Sequence, residues 1–481
     1  MIRSSKLNGI LNVIKRCLHI IFPLLTFPYL SRVLGPENLG KFSFADSVIN
    51  YFLLAAMLGL DSYAVREGAR LRDDKIRLQK FISEVFSINI ISGIIVFGVF
   101  LLIIFSYQSL IEYRLLLLIL GLMIPATILG RDYVNVIYED FLYITIRYII
   151  IQLISLALIF LLIHESEDYI KYTIIFVLSY SLGYLINIFY TSKIVPYKIS
   201  FNVEIKRHLT PILILFCGQI STVIYIQSGI TMLGVFKTES DVGIYTIASK
   251  IPLLTKSIVN ALTAVTIPRI VYFLGRNELK NYDIYIQKLF YYLFFAIAPI
   301  VTGLTLEAKS VLRIVGGTEY LTGTLSLQIL SIMLMFAVFA GYFCNAILIP
   351  NRKEKDFLYI TIFAAVINIA LNLIFIPPLG MIGTAISTLV SELVVLFLAI
   401  IKSKNYVKIN FKIKECFSIL IGCISIILIC VVCRMVIDDW LFEFIVSFML
   451  SAISYVVVLY YMKNKVLIDL LIPILSRLKK K

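Results

Sequence analysis

The sequence is a succession of long apolar segments separated by short polar ones, and this pattern decides its class. Sixty per cent of the residues are hydrophobic and 15% are charged, whereas soluble domains carry about 25% charged residues. A soluble chain of 481 residues would need far more polar surface than this composition offers. Since about 20 apolar residues cross a bilayer as a helix, we predict an all-α polytopic membrane protein.

Fourteen segments have the length and composition of a membrane-spanning helix. They are predicted at residues 10–33, 41–64, 81–105, 114–137, 142–163, 169–190, 210–235, 242–268, 287–306, 323–349, 357–377, 382–401, 415–435 and 440–462. The connecting segments are too short to fold into separate domains.

Two echoes within the sequence indicate that the chain is duplicated. The stretch LGPENLGKFSFADSV around Gly40 returns as LGVFKTESDVGIYTIASKI around Gly243, 203 positions later. The stretch DFLYITI at residues 140–146 returns unchanged at residues 356–362. Seven identical residues that include Asp, Tyr and Thr favour duplication over chance similarity of apolar segments. Repeated sets of membrane helices are common in transporters, which place the substrate site between the repeats.

The echoes divide the chain into two repeats and an appended pair of helices. We predict a first lobe at 1–190 with helices one to six, a cytoplasmic connector at 191–209, and a second lobe at 210–401 with helices seven to twelve. Residues 402–481 would add helices thirteen and fourteen and a basic cytoplasmic tail. Six helices per lobe give both lobes the same orientation, so the repeat is parallel.

The net charge of +15 is distributed as membrane topology requires, and we expect no nucleic-acid partner. Lys and Arg are concentrated in alternate connecting segments, among them 66–80, 191–209, 269–286 and 402–414. Short loops rich in these residues stay in the cytoplasm. We therefore expect both termini in the cytoplasm.

The cysteines and histidines show no spacing typical of a metal or redox site. The seven cysteines lie in or beside apolar segments, and the three histidines are scattered. Cys430 and Cys433 form a C-x-x-C that no histidine or second pair accompanies, so burial as small apolar residues is the better interpretation. We expect no metal and no cofactor.

Ionisable residues inside the predicted helices are the candidates for a site, because each costs at least about 2.5–3.5 kcal/mol at mid-membrane depth. They are Lys15, Arg16, Asp46, Arg147, Lys250, Lys256 and Glu392, with Arg32 and Asp61 nearer the helix ends. Their excess is basic, which suits an anionic substrate in a hydrated cavity. Long basic side chains near a helix end can also reach the headgroups, and this alternative stays open for Lys15, Arg16 and Arg147.

Further stretches carry a family resemblance: FPYLSRVLGPENLGKFSFADSV (27–48) with YAVREGA (63–69), DYVNVIYEDFLYITIR (132–147) and NIALNLIFIPPLGMIGTAISTLVSE (368–392). They resemble the Wzx-type polysaccharide flippases of the multidrug/oligosaccharidyl-lipid/polysaccharide exporter superfamily. The resemblance implies two six-helix bundles in a V around a central cavity that opens to each side of the membrane in turn. The cargo would be an undecaprenyl-diphosphate-linked oligosaccharide, moved from the cytoplasmic to the periplasmic leaflet of a bacterial inner membrane.

The resemblance also implies a role for Lys250, because related lipid II flippases carry a basic residue in the corresponding stretch of helix eight. Its ammonium would contact the diphosphate. The expected substrate-binding residues are Lys250, Asp46, Lys15, Arg16, Arg147 and Arg32. Membrane lipid and other polysaccharide assembly proteins are the implied partners, and the sequence leaves open whether a proton or sodium gradient drives the cycle.

Two other functions stay open on the sequence alone. A drug/cation antiporter of the same superfamily would bind cations with buried carboxylates, and Asp46, Asp61 and Glu392 qualify for that role. A membrane polysaccharide polymerase or glycosyltransferase usually needs a sizeable loop or domain with catalytic side chains. The predicted loops are short, which favours the flippase over an enzyme.

Overall fold

The computed structural model describes residues 5–200, 204–407 and 412–470. Within these ranges all regular secondary structure is helical, which confirms the predicted all-α class. The same ranges contain 12 helical stretches that are long and apolar enough to cross a membrane, as a polytopic membrane protein requires. The count of fourteen crossings stays a prediction.

The helices follow one another with short connections. The described α-helices are α1 Ser5–Met57, α2 Leu60–Arg70, α3 Lys75–Ser106, α4 Arg114–Gly121, α5 Met123–Leu129, α6 Asp132–Ile137, α7 Phe141–Leu162, α8 Tyr169–Ile194, α9 Ile205–Phe236, α10 Glu239–Gly275, α11 Leu279–Leu306, α12 Ala308–Val315, α13 Thr324–Gly341, α14 Glu354–Leu379, α15 Met381–Ser403, α16 Ile413–Val436 and α17 Trp440–Tyr461. A π-helical segment, Tyr342–Leu348, follows α13.

The first two predicted helices share one long helical stretch. The apolar stretch Ile20–Arg70 has 51 residues, or about 77 Å of helix at 1.5 Å per residue, which exceeds two crossings of a bilayer core of about 30 Å. Inside it, Gly35 has φ 70 and ψ 172, a conformation that glycine adopts without steric cost. The chain therefore bends at Gly35, between the segments predicted at 10–33 and 41–64.

Residues 114–137 form three short helices, so the prediction of one continuous helix there is wrong. Pro125 has no N–H to donate to the carbonyl of Gly121, and the chain leaves helical bonding between α4 and α5. Gly130 then becomes extended, with φ −68 and ψ 142. As a result Asp132 begins a new helix, α6.

The chain divides into two compact units, Met1–Gly243 and Ile244–Lys481. Unit 1 includes α9, which begins at Ile205 inside the connector predicted at 191–209 and extends into the predicted second lobe. The Ser47 hydroxyl of α1 lies 2.8 Å from the Thr231 hydroxyl of α9, and the backbone at Gly59 packs closely on Phe216. The packing boundary therefore differs from the sequence boundary between the repeats, and the lobe limits stay a prediction.

Unit 2 has its core between α11, α13 and the π-helical segment, where Leu289, Leu334 and Ile347 are buried. The appended pair, α16 and α17, packs on α11, and the Tyr455 hydroxyl donates to the carbonyl of Phe295 at 2.8 Å. The appended helices are thus part of the fold of unit 2.

Candidate functional site

Unit 1 contains a cavity of about 450 Å³ lined by α1, α7 and α8, with Asp132 of α6 at its edge. Sites for small ligands usually enclose about 300–1,000 Å³. Aromatic rings form much of the lining: Phe22, Phe27, Tyr148, Tyr172, Phe176, Tyr180 and Tyr184. Thr26, Gln152, Ser155 and Ser179 add hydroxyl and amide groups. The cavity therefore offers flat apolar faces together with hydrogen-bonding groups.

A partly buried ion pair forms the polar end of this cavity. Nη2 of Arg147 donates to both carboxylate oxygens of Asp132, each at 2.8 Å. The amide of Asn187 donates to the same carboxylate at 2.8 Å. The Arg147 side chain is 10% exposed and that of Asp132 is 30% exposed. Each side chain therefore compensates the charge of the other in a place that water reaches only partly.

The local fold explains how these groups meet. Arg147 lies in the second turn of α7, which begins at Phe141, and Asp132 begins α6 because the helix before it ends at Gly130. Gly183 of α8 faces the guanidinium: a Cβ at this position would lie 3.9 Å from Nε of Arg147. The small residue therefore keeps room for the arginine and for the cavity beside it.

The polar network is only partly satisfied. Nη1 of Arg147 and the amide oxygen of Asn187 are buried and form no hydrogen bond with the described residues. A buried donor or acceptor without a partner costs about 1–3 kcal/mol. The site thus retains one unused donor and one unused acceptor beside a cavity.

Of the residues predicted from sequence, Arg147 lines this cavity, whereas Asp46, Arg32 and Lys250 are not among its lining residues. In unit 1, Asp46 is half-buried and Arg32 is exposed. Lys250 is half-buried on α10 in unit 2. The side chains of Lys15 and Arg16 lie outside the described residues. The roles of all six in substrate binding stay predictions.

Sequence reasoning missed Asp132, Asn187 and the tyrosines Tyr180 and Tyr184. Asp132 offered a signal, because it is an acidic residue inside a segment predicted as membrane-spanning. Asn187 and the tyrosines are common residue types in such helices, and no sequence pattern set them apart.

Unit 2 holds a second ion pair, in which the carboxylate is buried and the lysine is partly exposed. Nζ of Lys256 lies 3.3 Å from Glu392 of α15, whose side chain is 8% exposed. The carboxylate of Glu392, one of the three that qualified for cation binding, is therefore already paired with a lysine. In the described part of the chain, His, Cys, Asp and Glu side chains form no group of three that could hold a metal ion.

Residues 7–273, more than half of the chain, match the model of the polysaccharide biosynthesis protein family. The chain belongs to this family. A protein of Escherichia coli K12, whose name describes it as an O-antigen transporter, is 24% identical over 411 residues, which are 84% of this chain and 97% of that protein. A protein of Haloferax volcanii, named as a low-salt glycan biosynthesis flippase, is 24% identical over 39% of this chain and 40% of its own length.

The fold has a close match among solved structures. The lipid II flippase MurJ in an inward closed conformation superposes with a TM-score of 0.74 at 18% sequence identity, covering 96% of this chain and all of that chain. Identity this low shows the fold alone. The two relatives are named as a transporter and as a flippase, as the sequence predicted for this chain.

Proposed function

We propose that this protein is a flippase that moves an undecaprenyl-diphosphate-linked oligosaccharide from the cytoplasmic to the periplasmic leaflet by alternating access. The observation that supports this proposal best is the cavity of unit 1, where the Arg147–Asp132 pair stands among tyrosine rings. A sugar presents hydroxyl groups at its edge and apolar C–H groups on its faces. Aromatic faces and paired donors and acceptors suit both of these surfaces.

The charge of Arg147 is compensated, which bears on whether this residue could bind a diphosphate. Because Asp132 neutralises Arg147, the pair offers a donor and an acceptor but no net positive charge. It is therefore better suited to sugar hydroxyls than to a diphosphate, which needs uncompensated cations. We assign the sugar to the cavity of unit 1, and the contact of Lys250 with the diphosphate stays a separate prediction.

The proposed direction of transport requires both termini in the cytoplasm of a bacterial inner membrane. Cysteine labelling from outside the cell would test this orientation on a cysteine-free background. Asp73→Cys, in the exposed turn between α2 and α3, should be protected from an impermeant maleimide. His164→Cys, exposed just after the last residue of α7, is expected on the periplasmic side and should react with the maleimide. Labelling in the reverse pattern would contradict the orientation.

Complementation tests the function in cells. A strain that lacks its own flippase should regain surface polysaccharide when this protein is expressed with a matching repeat unit, and the lipid-linked precursor should stop accumulating. A panel of strains with different repeat units would identify the sugar. Restored drug resistance in a strain without drug pumps, with no rescue of polysaccharide in any strain, would favour a drug exporter instead.

A further inference from the structure

Three polar side chains outside the cavity meet inside unit 1 where α9 begins. His208 is fully buried, Glu84 of α3 is 3% exposed and Tyr63 of α2 is 4% exposed. Nε2 of the imidazole lies 2.9 Å from Oε2 of Glu84, and Nδ1 lies 2.8 Å from the Tyr63 hydroxyl. Apolar side chains such as Phe81 and Ile212 surround the group. Three helices are thus joined through one histidine.

The charged groups around this cluster are more exposed than the cluster itself. They are Lys80 on α3, whose Nζ lies 3.8 Å from Oε1 of Glu84, Arg66 and Glu67 on α2, and Glu204 and Arg207 beside the start of α9. Lys80, Glu204 and Arg207 are more than half exposed, so water screens them. The inner pair of Glu84 and His208 therefore dominates the local charge.

The geometry accommodates two protonation states of His208. With a neutral imidazole, the Tyr63 hydroxyl donates to Nδ1 and Nε2–H donates to Glu84. With an imidazolium, both ring nitrogens donate, and the hydroxyl oxygen of Tyr63 accepts. The second state converts a hydrogen bond into an ion pair. Oε1 of Glu84 is buried without a hydrogen-bond partner among the described residues, and the exposed Lys80 lies 3.8 Å from it, so an imidazolium would add a second, fully buried positive charge beside this carboxylate.

The part of α3 that carries Glu84 also binds the connector between the two sequence repeats. The backbone N–H of Lys198 donates to Ser83 at 3.3 Å, and that of Ser200 donates to Ser87 at 2.8 Å. Ser83, Glu84 and Ser87 lie close together on α3, so one region of this helix holds the connector and the start of α9. Among these contacts, the one between Glu84 and His208 joins a carboxylate to an imidazole at 2.9 Å, and an imidazole nitrogen is a group that can take up or release a proton.

We propose that Glu84, His208 and Tyr63 form a proton-binding site that fastens the start of α9 to α3 when the proton is bound and loosens it when the proton leaves. The ligand is a proton taken from the water at the end of the bundle that the loop charges predict to be cytoplasmic. Because α9 begins the second sequence repeat, translocation becomes slower as the pH on this side falls. That last step rests on the proposed flippase function, whereas proton binding itself does not.

Proton binding is tested on the purified protein, without transport. The protein carries three histidines, so ¹⁵N-histidine labelling with a histidine-free tag gives few imidazole signals, and His208→Gln assigns the signal of interest. We expect that imidazole to change its charge between pH 5 and 8, and its midpoint to move to lower pH in Glu84→Gln, which removes the carboxylate. The proposal would be overturned if the imidazole of His208 kept one charge throughout this range. It would also be overturned if the midpoint were the same in the wild type and in Glu84→Gln.

The consequence for transport is tested in proteoliposomes with lipid-linked oligosaccharide. The wild-type rate should fall between pH 8 and pH 6 on the connector side, and His208→Gln should abolish this dependence. His164→Gln, which changes an exposed histidine, is the matched control and should behave as wild type. Tyr63→Phe removes a single hydrogen bond and should weaken the dependence even if the other variants fold poorly. Equal pH profiles for the wild type and His208→Gln would refute the link, whereas no translocation at any pH would refute the flippase function instead.

Discussion

Gly40 and Gly243, which occupy corresponding places in the two sequence repeats, pack directly against each other. A methyl group on Gly40 would overlap the carbonyl oxygen of Glu239 and come within 3.0 Å of the nitrogen of Gly243. A methyl group on Gly243 would overlap the carbonyl oxygen of Pro36 and come within 3.1 Å of the nitrogen of Gly40. Pro36 and Glu239 also correspond in the repeats, so the same backbone contact is made twice. Small residues allow membrane helices to approach this closely.

This contact predicts that both glycines are essential for stability. Gly40→Ala and Gly243→Ala should each destabilise the protein by about 1–3 kcal/mol or more, since backbone atoms cannot move aside as a flexible side chain can. Thermal unfolding in detergent, followed by size-exclusion chromatography, measures the effect. The control is Gly98→Ala on α3, where a Cβ would meet no atom within 4 Å. Gly40→Ala that is as stable as Gly98→Ala would contradict the close packing.

The Arg147–Asp132 pair predicts non-additive effects of mutation. Arg147→Gln or Asp132→Asn leaves one partly buried charge without its partner, which should cost less than the value of about 3–5 kcal/mol that applies to a fully buried pair. The double variant removes both charges and should recover much of the lost thermal stability without recovering transport. If the single and double variants lose stability in an additive way, the two side chains do not act as a pair.

Gly183 allows the cavity to be filled without removing any polar group. Gly183→Ala should be tolerated, since its Cβ would lie 3.6 Å from Ile151 and 3.9 Å from Arg147. Gly183→Leu places a larger side chain in the space beside Arg147 and should reduce transport while the protein still reaches the membrane. Surface polysaccharide at limiting expression is the measurement. Normal transport by the leucine variant would show that the cargo does not use this cavity.

Lys250 is expected to contact the diphosphate through its ammonium. Lys250→Ala should weaken substrate binding by about 1.5–3 kcal/mol, or roughly ten- to a hundredfold. Lys250→Arg keeps the charge and should keep partial activity. Surface polysaccharide must be compared at equal amounts of protein in the membrane. Wild-type polysaccharide from a normally expressed alanine variant, even at limiting expression, would make Lys250 a structural residue.

The sequence predicted the class of fold because the thickness of the bilayer fixes the length of an apolar helix. It also identified Arg147, since an ionisable residue in an apolar segment stands out. It did not predict that Arg147 would pair with Asp132, because that pairing depends on the chain leaving helical structure between Gly130 and Asp132. The break in the helix at Gly130 depends on tertiary packing, since Gly130 lies against the ring of Tyr184 of α8, and the local sequence does not contain that contact.

Contacts between distant segments were equally hard to predict. His208 and Glu84 are 124 positions apart, and each looks unremarkable in its own segment. Arg131 lies near a predicted helix end, where solvent exposure is usual, yet it is fully buried and its guanidinium lies 3.2 Å from the ring centre of Tyr197. Tyr197, in the connector, packs over Arg131. The hydropathy of the sequence around Arg131 does not predict a contact with a residue 66 positions away.

The most direct test of the proposed function is translocation by the purified protein in liposomes. Fluorescent undecaprenyl-diphosphate-linked oligosaccharide is incorporated into both leaflets, and an impermeant quencher reports the fraction in the outer one. Without the protein, only the substrate in the outer leaflet should be quenched. With the protein, substrate from the inner leaflet should reach the outer one, so that nearly all fluorescence is quenched with time. The recovered oligosaccharide should be chemically unchanged. The variant Gly183→Leu should slow this exchange. A substrate that stays in its original leaflet, or one that is recovered as a longer polymer, would contradict the assignment of this protein as a flippase.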